Sequence, residues 1–256
     1  MFKVDCTYDL TKLNQNYPKR YIDLINRVVN KMAILFNDEL LSVIIGGPSG
    51  KGDIIDGYTE VELYVVLNRY DVKNISKLSK YILLEDIDVV VTYYLIDEVL
   101  NDMLDSKTKV LIYEKDKYKV NPTLYGNNLF NIVSYKDIKE NDKRVLPTVL
   151  HDVRCRYTNL YSNKDLCVDR NFIYQLTVLL KCILNYNDIF VYGYNEVFSK
   201  FKLLFELKLG KVEDISNFDI IDTINNLNDS KANVLAFCKA LFEYTEGNLI
   251  YINLNN

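Results

Sequence analysis

Residues 40–67 read LLSVIIGGPSGKGDIIDGYTEVELYVVL, and the fold turns on how this stretch is punctuated. The first seven residues, 40–46, are an apolar run, β-branched at the centre and closed by Gly46 and Gly47, which predicts a buried strand. The last nine, 59–67, alternate at first and are then continuously apolar, which predicts a second strand. Between them, residues 47–58 read as a polar, glycine-rich loop.

On the N-terminal side, residues 19–36 place apolar side chains at 21, 22, 24, 25, 28, 29, 32, 35 and 36. That is a helical stripe, with Pro18 as its start signal. On the C-terminal side, the pattern predicts a helix over 72–82, a third strand over 87–95 (IDVVVTYYL), a short helix over 97–104 and a fourth strand at 109–114 (KVLIYE). Beyond about residue 125 the strand-like runs stop. Residues 145–161, 171–186, 195–207, 218–227 and 231–245 all suit helices, with Gly210 and Gly247 as stops and Pro147 marking a first turn or a kink. The expected fold class is α+β. A small mixed β-sheet domain over 1–125 is followed by an all-helical domain over 126–256.

Composition narrows the function classes. The chain has 256 residues, 49% hydrophobic and 26% charged, which is ordinary globular usage and argues against disorder. No apolar run approaches the roughly 18–20 residues of a bilayer span. The N-terminal MFKVDCTYDLTK lacks the apolar core and cleavage site of a secretory signal, so a cytoplasmic protein is the expectation. Five cysteines without CxxC spacing, and a single histidine (His151), disfavour a zinc site and predict unpaired thiols, with Cys182 and Cys238 as core packing. The net charge of −4 disfavours extended nucleic acid as a partner.

The loop and the acids behind it carry the chemistry. GGPSGKGD is not a P-loop: position 45 is Ile where that motif needs glycine, and Gly52 follows Lys51 where it needs Ser or Thr. After the loop, Glu60 and Glu62 stand two apart at the start of a strand and therefore on one face. Asp88 opens the next strand. Three acids converging beside a glycine loop suit hard divalent cations and triphosphate oxygens together. The plainer reading of the glutamates is a solvated strand edge, of Lys51 a surface lysine, of Glu196 a residue on a packing helix, and of His151 a structural residue. Both sets stay open at this point.

Over residues 20–95 the order of pieces resembles the polymerase-beta-like nucleotidyltransferases, including the bacterial antibiotic nucleotidyltransferases. Gly47-Pro48-Ser49-Gly50-Lys51-Gly52 stands for their G-S-x-x-[RK]-G, and Thr59-Glu60-Val61-Glu62-Leu63 for their S-D-x-D followed by an apolar residue. Asp88 stands for the third acid, and residues 184–198 resemble the helical domain of the antibiotic-modifying branch more weakly. The resemblance implies a transferase with Mg²⁺ or Mn²⁺ on Glu60, Glu62 and Asp88, moving a nucleoside monophosphate from an NTP to an acceptor hydroxyl by a two-metal mechanism. It implies triphosphate binding at Gly47, Ser49, Lys51 and Gly52, with Glu196 as a base for the acceptor. The acidity of the chain suits a small cationic acceptor such as an aminoglycoside, and a homo-oligomer stays open. The departures, Pro48 in place of Ser and Glu in place of both Asp, leave room for the alternative of an inactive nucleotide- or protein-binding module.

Overall fold

The computed structural model describes residues 17–191 and 193–245. Contacts divide the chain into two compact units, residues 1–138 and 139–256. The first contains helix α1 (Lys19–Phe36), strand β1 (Leu40–Gly46), helix α2 (Gly47–Lys51), strand β2 (Val61–Leu67), helix α3 (Val72–Ile82), strand β3 (Val89–Leu95), helices α4 (Ile96–Leu100) and α5 (Ser106–Tyr118), and strand β4 (Thr123–Gly126). The strands form one mixed sheet of order β3-β2-β1-β4, so the fold is α+β as expected. β1 runs antiparallel to β2 and to β4, whereas β2 and β3 are parallel because α3 carries the chain back between them.

The two-residue period of the strands divides the sheet into two faces. Val61, Leu63, Val65 and Leu67 of β2, with Val43 and Ile45 of β1, turn to the face where α1 buries Leu24, Ile25, Val28, Val29 and Met32. Glu62, Tyr64 and Val66 turn the other way. Both faces of β2 are covered, so every residue from Val61 to Leu67 is buried, the glutamate included.

Two expectations in this unit need correction. KVLIYE at 109–114 is not a strand but the middle of α5. Asp105 caps the helix by accepting from the Thr108 backbone N–H at 3.0 Å, and the buried set Thr108, Leu111, Ile112 and Glu114 repeats at helical, not strand, spacing. The fourth strand is instead Thr123–Gly126. The 47–58 loop also begins with a helical turn, α2, closed by Gly52 in the left-handed region at φ +76°.

The second unit is helical. Helix α6 (Tyr135–Ser162) crosses from the first unit, and α7 (Arg170–Tyr186), α8 (Tyr194–Leu209), α9 (Glu213–Ser216), α10 (Ile220–Asn225) and α11 (Lys231–Thr245) follow. Because α6 begins at Tyr135, Pro147 sits inside the helix and not in its first turn. A cluster of Phe198, Phe201, Phe205, Phe218 and Phe237 fills part of the core, with the Phe218 and Phe237 ring centroids 4.4 Å apart. Cys182 and Cys238 are buried thiols and Cys155 and Cys167 exposed ones, while Cys6 and Gly247 lie outside the described residues. Gly210 follows α8 as its stop. Among the described residues no helix is long and apolar enough to cross a membrane.

Candidate functional site

The site is built where β1 ends and β2 begins. Register pairs Gly46 with Glu62, which places the turn of α2 directly against the glutamate. Gly47 has φ +59°, and a Cβ added there would fall 2.3 Å from Glu62 Oε1. No other residue could stand here without displacing the carboxylate. Ser49, fully buried, locks the junction: its hydroxyl donates to the Gly46 carbonyl at 2.9 Å and accepts from the Glu62 backbone N–H at 3.1 Å. Ser49 thus holds the turn to the strand from the interior.

Lys51 lies in the interior too. Its ammonium is 2.9 Å from Glu114 Oε1 of α5, with the two side chains 5% and 3% exposed. Asn121 completes this anchor. Its side-chain N–H donates to Glu114 Oε2 and to the Leu111 carbonyl, both at 3.3 Å, and its backbone N–H donates to the Gly50 carbonyl at 2.8 Å. The buried pair therefore fastens α2 to α5. To meet a phosphate, Lys51 would have to abandon Glu114 in a nearly dry setting.

Glu60 lies within reach of the charges of both Glu62 and Asp88. β2 and β3 are in register at Val61 and Val89, and the Val61 backbone N–H donates to the Asp88 carbonyl at 2.8 Å, so the strand starts lie side by side. Burial, and then the Glu62 charge, push the half-buried Glu60 carboxyl above its usual range, with Asp88 adding to the shift and Lys107 opposing it. Glu62 is 3% exposed and Asp88 is exposed. Glu196 belongs to the other unit, half-buried in the first turn of α8.

Sequence reading missed Lys107. It stands in the first turn of α5, and its ammonium lies 2.6 Å from Glu62 Oε2. The Tyr64 hydroxyl donates to the same oxygen at 3.2 Å. Reading 109–114 as a strand hid this residue, because only a helix starting at Ser106 delivers Lys107 to the sheet. Tyr64, two residues after Glu62 on the same strand face, could have been found by the same alternation that paired the glutamates.

The residues as arranged do not fit a divalent cation. Glu62 spends Oε2 on Lys107 and Tyr64. Among the described residues no three His, Cys, Asp or Glu side chains gather as a metal group. The donor chemistry implied for Mg²⁺ or Mn²⁺ is present; the shared coordination position is not.

No family model matches the chain, and no curated protein matches it. Among solved structures, a spectinomycin adenyltransferase from Enterococcus faecialis, determined with ATP and spectinomycin, matches over 82% of this chain and 99% of its own, at 14% identity and a TM-score of 0.48. A nucleotidyltransferase-like protein from Exiguobacterium sibiricum matches over 87% of this chain and 80% of its own, at 12% identity and a TM-score of 0.26. Likenesses this slight say nothing about chemistry.

Proposed function

We propose that this protein is a nucleotidyltransferase that moves a nucleoside monophosphate from an NTP to a hydroxyl of a small-molecule acceptor. The observation that supports the reading is a glycine turn set against Glu62 at the start of a strand, with Glu60 within reach of the charges of Glu62 and of Asp88 on the neighbouring strand. In this reading Gly47 and Gly52 shape the turn that approaches the donor, and Ser49 and Lys51 keep that turn in place. Glu60, Glu62 and Asp88 surround the reacting groups. Lys107 offsets carboxylate charge that would otherwise repel a triphosphate. Glu196 is the proposed base for the acceptor, and the acidic chain suits a cationic acceptor such as an aminoglycoside.

One observation favours a second reading, an inactive module that binds nucleotide or a protein. Glu62 is already satisfied by Lys107 and Tyr64. The two readings part in one experiment. The full chain is incubated with each α-labelled NTP and a panel of aminoglycosides, following label transfer and pyrophosphate. The enzyme reading expects acceptor-dependent pyrophosphate release, reduced by about a hundredfold or more in Glu62→Gln. Thermal stabilisation by an NTP without turnover supports the binding module and sinks the enzyme.

A further inference from the structure

We propose that Lys107 is the resident cation of this site: its ammonium holds Glu62 in the place a divalent ion would need, so any such ion must displace it. The inference concerns the carboxylates of the proposed function but does not rest on turnover. Glu62 is an anion buried on a central strand, and a buried charge requires a partner. The structure supplies one at 2.6 Å, and it comes from α5, not from the sheet that carries the acids.

The delivery of that ammonium is built into the fold. Asp105 fixes the start of α5 by accepting from the Thr108 backbone N–H and hydroxyl, each at 3.0 Å. The Tyr94 hydroxyl of β3 donates to the same Asp105 carboxylate and lies 2.7 Å from the Thr108 hydroxyl. Lys107 sits between these anchored residues. Its side chain is 49% exposed, while Glu62's is 4% exposed. The lysine therefore borders solvent, whereas the glutamate does not. That asymmetry makes the ammonium the movable partner of the pair. Glu60 and Asp88, whose charges reach one another, would then be left beside an uncompensated Glu62. A cation in the ammonium's place relieves that repulsion.

Two variants and a chemical probe test this. Mn²⁺ is titrated into the full-length wild type, Lys107→Met and Lys107→Met/Glu62→Gln, reading unbound Mn²⁺ by electron paramagnetic resonance and folding by circular dichroism. Removing the competing ammonium should tighten Mn²⁺ binding by about tenfold or more, and the added Glu62→Gln should abolish the gain. Equal Mn²⁺ affinity in the wild type and in folded Lys107→Met overturns the proposal. Should Lys107→Met fail to fold, acetylation of Lys107 is followed by mass spectrometry in the wild type and in Glu62→Gln. A several-fold faster reaction in Glu62→Gln supports the pairing, and equal rates overturn it. Neither readout involves an NTP, so nucleotide transfer can fail while this inference stands, and the reverse.

Discussion

Lys51 and Glu114 form a buried ion pair at the point where α2 meets α5, and its energetics are asymmetric. Removing one partner strands the other charge away from water, which costs about 3–5 kcal/mol, whereas replacing both with apolar residues of similar volume is often nearly neutral. Glu114→Ala should therefore destabilise the first unit by that amount in urea unfolding, and Lys51→Met/Glu114→Leu by much less. A double variant as unstable as the single one would show that the pair has value beyond cancelling its own desolvation. Gly47 makes a different demand, since its φ of +59° and its contact with Glu62 both exclude a side chain. Gly47→Ala should cost about 1–3 kcal/mol or more, and a melting temperature equal to the wild type would refute the close approach. At this scale the sequence showed residue types but not their partners. The i, i+2 rule put Glu60 and Glu62 on one face, yet nothing local says that Lys51 turns inward to Glu114 or that Lys107 crosses to Glu62. Those pairings are made between segments 45 and 63 residues apart, from Glu62 to Lys107 and from Lys51 to Glu114.

Helix α5 shows why element type was legible for most of the chain and failed here. α1, β1 and α3 end where the apolar pattern and its flanking signals place them, because each is long or sharply bounded. KVLIYE is a short apolar run whose central residues fit either period, and only the upstream Asp105 cap decides it. β4 is four residues long and too brief for any pattern to announce. The cap is testable: Asp105→Ala should cost about 1–2 kcal/mol by loss of an N-cap, while Asp105→Asn, which keeps an acceptor, should recover most of it. If Asn and Ala are equally destabilising, the charge and not the cap is what matters. In α6, exposed Pro147 removes the backbone hydrogen bond that would reach the Lys143 carbonyl. Pro147→Ala should raise stability by about 1 kcal/mol or more, and a drop would show that the helix is shaped around the proline.

Across the whole molecule, an exposed aspartate of the first unit, Asp105, and a half-buried one of the second, Asp142, respond to acid in opposite senses. In the first unit, burial works against the charge of Asp105, but hydrogen bonds from Tyr94 and Thr108 outweigh it and hold the carboxyl below its usual value of 3.8. A depressed pKa contributes stability above the unfolded value, and that contribution is lost as pH falls through the folded one. In the second unit, burial raises Asp142 above 3.8, although the Asn185 side chain donates to it at 2.6 Å. Here the native state holds the proton more tightly, so the contribution is complete below 3.8 and is lost as pH rises through the folded value; at neutral pH the charged group is a burden. Asp142→Asn should therefore be more stable than the wild type at neutral pH, by a few degrees in melting temperature, with the advantage fading as pH falls toward 3.8. Asp105→Asn should show the reverse: less stable than the wild type at neutral pH, with the deficit closing only on acidification below 3.8. Because the two aspartates lie in different units, amide hydrogen exchange along α5 and α7 assigns each change to its own unit. An Asp142→Asn protein less stable than the wild type at neutral pH would mean that the Asp142–Asn185 bond needs the anion, and the opposed acid responses would not hold.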